Sequence, residues 1–98
     1  MQVVYSERVK TALHVLGPDD RRRVQAWLDY FQNWETDDFV RSRSVLLKVR
    51  GQSVYMFRTT TDIRIFYTVD QQSKTISVID VATEDTILAS GGVSTGAP

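Results

Sequence analysis

Val54-Tyr55-Met56-Phe57-Arg58-Thr59-Thr60-Thr61-Asp62-Ile63-Arg64-Ile65-Phe66-Tyr67-Thr68-Val69-Asp70 holds two β-strand patterns back to back. β-Branched and aromatic residues fill both flanks, and the polar run from Thr59 to Asp62 breaks them as a turn. So short a turn makes the two strands antiparallel neighbours, because a parallel crossover needs about a dozen residues or more. Downstream, Asp70-Gln71-Gln72-Ser73-Lys74 closes a second hairpin onto Thr75-Ile76-Ser77-Val78-Ile79-Asp80-Val81. Upstream, Val45, Leu47 and Val49 alternate with Lys48 and Arg50, which predicts a strand with one covered face, followed by a turn at Gly51-Gln52-Ser53.

Before Ser44 the hydrophobic period is helical. Met1 to Tyr5 reads as a short strand, and Ser6 is placed to cap a helix whose apolar positions are Val9, Ala12, Leu13 and Leu16. Gly17-Pro18 ends that helix and opens a second one running roughly to Trp34, with Asp19 and Asp20 at its positive end. Val24, Trp27, Leu28 and Phe31 form its buried stripe. Residues 33–44 read as a connection with little regular structure. The expected fold is α+β: a short N-terminal strand, a helical hairpin, then an antiparallel sheet of three to four strands. One domain over residues 1–88 is followed by a small, Gly-rich tail, 89–98, expected to be flexible. The helices need one sheet face, which leaves the other face or its end to build a site.

The composition removes several function classes. With 42% hydrophobic and 24% charged residues the chain can bury a core. It has no cysteine and one histidine, His14, so disulfides, thiolate zinc sites, cysteine nucleophiles and paired-histidine chemistry are excluded, and neither a metal nor a cofactor is expected. No apolar run is long enough to span a bilayer and no leader pattern opens the sequence, so a cytoplasmic location without membrane contact is the default expectation. Formal net charge is zero, yet Arg41, Arg43, Lys48, Arg50 and Arg58 fall in a segment, 41–58, that holds no Asp or Glu. Arg21-Arg22-Arg23 is also basic, but Asp19 and Asp20 stand beside it, and a solvated helix end is the simpler reading.

The element order, with the strand ending at Arg58, the short turn and the run Arg64-Ile65-Phe66-Tyr67, resembles the RelE/ParE toxin superfamily over roughly residues 1 to 88. The resemblance implies the toxin component of a type II toxin–antitoxin system, with a cognate antitoxin protein as partner. In the RelE branch it implies ribosome-dependent cleavage of messenger RNA without a metal, and in the ParE branch action on DNA gyrase without nuclease chemistry. A degenerate member that mainly binds its antitoxin is the third possibility.

Metal-free RNA cleavage needs a base for the 2′-OH, an acid for the leaving oxygen and cations for the phosphorane. The resemblance points to Arg64 first, with Arg58 beside it, and Glu84 as a substitute base. Lys48, Arg50, Arg41 and Arg43 are candidate phosphate ligands, and Tyr55 a candidate stacking platform for a base. For the cations the alternative is a solvated strand face; for Tyr55 it is core packing; for Arg64 it is pairing with Asp62 or Asp80. The sequence departs from the nuclease pattern at Ala82-Thr83-Glu84-Asp85-Thr86-Ile87-Leu88, where many RelE-like nucleases carry a basic residue and then a Tyr.

Overall fold

The computed structural model describes residues 1–83. The elements are β1 (Gln2–Tyr5), α1 (Glu7–Val15), α2 (Pro18–Phe31), α3 (Phe39–Ser42), β2 (Ser44–Val49), β3 (Gln52–Arg58), β4 (Ile63–Asp70) and β5 (Thr75–Thr83). They form one five-stranded sheet in the order β1-β5-β4-β3-β2 with the helices on one face. The α+β architecture follows the expectation, and three details depart from it. The short helix α3 lies in the supposedly irregular connection. β1 joins the sheet parallel to β5, with Val3 opposite Ile76. The β2–β3 turn is Arg50-Gly51, one residue earlier than expected: both take positive φ, 53° and 81°, as a two-residue hairpin turn of matching twist requires.

Local chemistry sets the helix boundaries. The Ser6 hydroxyl accepts the Val9 amide at 3.2 Å and starts α1. At its other end Arg21 reaches back from α2 and donates to the carbonyls of Leu13 (2.8 Å), His14 (3.3 Å) and Leu16 (3.0 Å), which α1 itself leaves unbonded. Arg22 and Arg23 pair with Asp19 and Asp20 one turn away, so the arginine triplet is one cap and two neutralised surface residues.

The core lies between α1–α2 and one side of the sheet. Val9, Val24, Trp27, Leu28 and Phe31 meet Phe57, Ile63, Ile65, Tyr67, Ile76, Val78 and Val81. Phe31 stands edge-on to Tyr67 at 4.9 Å and to Phe57 at 5.7 Å between ring centroids. A polar chain pins the α2–β2 connection to this core. Trp34 Nε1 donates to Tyr67 Oη (3.1 Å), Tyr67 Oη lies 2.6 Å from Ser44 Oγ, and Ser44 Oγ donates to the Val40 carbonyl (2.7 Å). Ser44 has one hydroxyl proton and gives it to Val40, so the Tyr67 proton must point at Ser44 and the chain has one direction.

Candidate functional site: the uncovered sheet face

Strand parity sends alternate residues of each strand to the side away from the helices. On β4 those are Arg64, Phe66 and Thr68; the register puts Arg58 opposite Arg64 and Met56 opposite Phe66 on β3, then Val45 opposite Met56 and Leu47 opposite Val54 on β2. On β5, Ala82 faces Arg64 and Asp80 faces Phe66. A β-bulge between Phe66 and Tyr67 leaves Ile79 without a register partner next to Asp80, so both are presented on this face. The floor is apolar. Val54 and Phe66 are buried, although they stand outside the main core, whereas Val45 and Ile79 remain 40% and 36% exposed. Val49, Val54, Phe66 and Ile79 line a cavity of about 270 Å³ whose rim carries Arg8 and Asp80. Arg8 Nη1 and Asp80 Oδ2 lie 3.7 Å apart there.

The cations expected from the sequence do not converge on this face. Arg58 and Arg64 are the two that do, as direct register neighbours at one end. Lys48 shares its parity with Ser44, on the helix side, and donates to Ser53 Oγ at 2.8 Å. The helix-side residues of β2 are thus Ser44, Leu46 and Lys48, and the expectation that Val45, Leu47 and Val49 take the covered side is reversed. The helices reach only the start of this edge strand, so Leu46 stays 53% exposed. Arg50 sits in the turn rather than on a strand face. The Arg41 guanidinium lies over the Trp34 ring at 5.6 Å and that of Arg43 over Phe39 at 4.3 Å, both near α3 on the helix side. Tyr55 also faces the helices, stacked on Tyr67 at 5.2 Å and edge-on to Trp34 at 6.3 Å, which makes it a packing residue. The single basic surface expected opposite the helices is therefore corrected to a pair of arginines beside an apolar floor.

Arg64 is only 9% exposed, and its Nη1 donates to the carbonyls of Thr61 (2.7 Å) and Ile63 (3.0 Å). Asp80, one acid considered as its partner, faces Arg8. Glu84 and the departure at Glu84 to Leu88 lie outside the described residues, as does the tail, 89–98. His14 is exposed in the last turn of α1, and no group of His, Asp or Glu side chains able to hold a metal ion occurs among the described residues. No helix among them is long and apolar enough to cross a membrane. Arg8 carried no sequence signal, because it meets Asp80 from more than seventy positions away; the bulge at Ile79 breaks the alternation inside the β4–β5 hairpin, and the apolar floor emerges only once the strands are paired.

No family model and no curated protein matches the sequence. Solved structures match the fold. A chain of the RelE–RelB complex from the archaeon Pyrococcus horikoshii OT3 superposes with a TM-score of 0.65 at 21% identity, over 84% of this chain and 92% of that one. A chain of the intact E. coli RelBE toxin–antitoxin complex gives 0.63 at 18% identity, over 84% and 94%. The isolated E. coli RelE toxin also gives 0.63 at 18%, over 84% of this chain and 82% of that one. At these identities the likeness is one of architecture, and it extends over most of both chains: the protein has the RelE toxin fold.

Proposed function

We propose that the chain is the toxin component of a toxin–antitoxin pair and that a cognate antitoxin protein covers its uncovered sheet face. The observation that carries this reading is that face itself. Val45, Leu47, Val49, Met56 and Ile79 form an apolar surface that the helices among the described residues leave open, and such surfaces mark sites of protein association. The similar solved structures include RelE in complex with RelB, which supports a protein partner of that kind here. The test is co-expression with the product of a small open reading frame beside the gene. A stable complex that protects the backbone of β2 and β3 from hydrogen exchange is expected, and Met56→Asp should weaken it while leaving the free protein folded. A neighbouring product that does not co-purify, or a complex indifferent to Met56→Asp, defeats the reading.

A second reading concerns what the free protein does. The side-by-side placement of Arg58 and Arg64 on the same face favours ribosome-dependent, metal-free cleavage of messenger RNA, since arginine charge can stabilise the phosphorane directly. Induced expression should arrest bacterial growth and leave cuts inside translated messages. Growth arrest without such cuts would transfer the reading to a protein target such as gyrase, and harmless expression would leave antitoxin binding as the whole function.

A further inference from the structure

The outer edge of β2 is an open strand edge with little to protect it. β2 ends the strand order, and among the described residues nothing pairs with its outer side. Edge strands are commonly blunted by proline, a bulge, short length or projecting charge. β2 is six residues long against four for β1 at the opposite edge, contains no proline, and keeps a regular register with β3 from Ser44 to Val49. Its one charged side chain, Lys48, is turned to Ser53 Oγ on β3 at 2.8 Å. Val45 and Leu46, on opposite faces, are 40% and 53% exposed.

We propose that this edge takes a second copy of the chain, β2 pairing antiparallel with β2 about a two-fold axis that is normal to the sheet and passes beside Leu46. The hairpin fixes which backbone groups are free. The Arg43 carbonyl accepts the Arg58 amide at 2.9 Å, and Val49 pairs with Gln52 across the two-residue turn, so Val45, Leu47 and Val49 bond to β3. Ser44, Leu46 and Lys48 therefore turn their N–H and C=O groups outward. An axis normal to the sheet keeps each face continuous, so opposed residues must share a face and the axis must fall on a residue, not between two. On Leu46 it sets Leu46 opposite Leu46 on the helix side, Val45 opposite Leu47 on the uncovered face, and Ser44 opposite Lys48 at both ends. Apolar side chains meet apolar ones and no cation faces another, whereas an axis on Leu47 would set Lys48 against Leu46. Ser44-Val45-Leu46-Leu47-Lys48 is thus complementary to itself, which selects a second copy over a foreign strand. Both uncovered faces then lie on one side of the joined sheet, and the face assigned to the antitoxin stays open.

Six residues of edge span about 20 Å and bury less than the about 1,200 Å² of a standard stable interface, so the dimer is weak and depends on concentration. The experiment uses the full chain alone. Sedimentation between about 10 μM and about 1 mM should show the average mass rising from monomer towards dimer. Exchange of the Ser44, Leu46 and Lys48 amides should slow over the same range, while the Val45 and Leu47 amides, already bonded to β3, exchange as before. Leu46→Lys places two ammonium groups directly opposite one another and should raise Kd at least about tenfold, with an unchanged melting temperature at the lowest concentration. The chain has no cysteine, so Leu46→Cys gives a single reporter. Opposed Cα atoms in a bonded pair lie about 5.5 Å apart, within disulfide reach, and oxidation should cross-link this variant. In Leu47→Cys the two thiols are diagonal neighbours, about 7–8 Å apart, and should cross-link far more slowly.

A chain that stays monomeric at the highest concentration overturns the proposal. Protection of the outward amides that is independent of concentration assigns the edge to residues 84–98 of the same chain, and protection that appears only with an antitoxin assigns it to that partner. Either result defeats self-pairing. Faster cross-linking of Leu47→Cys, or a dimer indifferent to Leu46→Lys, defeats the register and with it the choice of a second copy.

Discussion

Replacing Tyr67 by Phe tests whether the directional chain from Trp34 to Val40 holds the α2–β2 connection in place. Tyr67 is fully buried, and its hydroxyl accepts from Trp34 Nε1 at 3.1 Å while lying 2.6 Å from Ser44 Oγ. Removing that oxygen changes the packed volume little, but the Trp34 N–H then faces an apolar ring edge. A buried donor left without a partner costs about 1–3 kcal/mol. Ser44 keeps its bond to the Val40 carbonyl, so one donor is stranded, at a cost of about 2 kcal/mol. For a domain of this size each kcal/mol moves the melting temperature by about 4–8 °C, so Tyr67→Phe should melt roughly 10 °C below wild type. The assay is calorimetry on a double-mutant cycle with Trp34→Phe. If the stranded N–H is the cause, the double variant loses less than the sum of the singles, because removing both partners of a bond is milder than removing one. Additive losses, or a melting temperature for Tyr67→Phe within a degree or two of wild type, would refute the account.

The same tyrosine predicts a pH response. Burial, foremost, raises the Tyr67 pKa above its ordinary value, and the hydrogen bonds with Ser44 and Trp34 only partly oppose this. The folded state then keeps the phenolic proton to higher pH than the unfolded chain does. That contribution is complete below about pH 10 and is lost as pH rises through the folded pKa; urea midpoints should fall above pH 10, and less steeply in Tyr67→Phe. Arg21→Met keeps the apolar stem but withdraws the donors from the Leu13, His14 and Leu16 carbonyls. Because these carbonyls are partly reached by water, the expected loss is about 1–2 kcal/mol in urea unfolding with an unchanged m-value. In the β2–β3 turn, Gly51 has φ +81° and nothing within 4 Å of where a Cβ would sit, so Gly51→Ala should cost only the backbone strain, about 1 kcal/mol by urea midpoint. Arg50→Asn, at φ 53°, should gain a few tenths of a kcal/mol by melting temperature, since Asn tolerates that conformation better.

The features legible in the sequence were those whose cause is local. The spacing of Val24, Trp27, Leu28 and Phe31 gives the buried face of α2 directly, and Gly17-Pro18 marks the break before it. Alternation in Ile63 to Val69 correctly separates Ile63, Ile65 and Tyr67 from Arg64 and Phe66. Alternation does not say which set the helices will cover, and on β2 the apolar set Val45, Leu47 and Val49 ends on the uncovered side. Nor does closeness in sequence put charges on one surface. Arg41 and Arg43 leave through α3 to Trp34 and Phe39, Lys48 takes the helix side and Arg58 the other. The parallel pairing of β1 with β5 joins residues more than seventy positions apart in the chain, as when Ser6 Oγ donates to the Ile79 carbonyl at 3.0 Å, and no local pattern encodes such a contact.

The charge placement also constrains how the two functional readings fit together. A formal net charge of zero gives little long-range attraction for a polyanion, and the uncovered face adds Arg58 and Arg64 to a largely apolar floor, with Arg8 paired to Asp80. An apolar floor gains most from a protein partner that removes it from water, at about 25 cal/mol for each Å² of apolar surface buried. RNA, which is charged along its whole backbone, gains little from such a floor. On the cleavage reading, therefore, the protein has to be brought to its message by a ribosome that fits its shape, not by its own field. On the two proposed readings taken together, a partner that covers the apolar floor would cover Arg58 in the same act, so antitoxin binding and RNA contact would exclude one another on this face without any change of conformation.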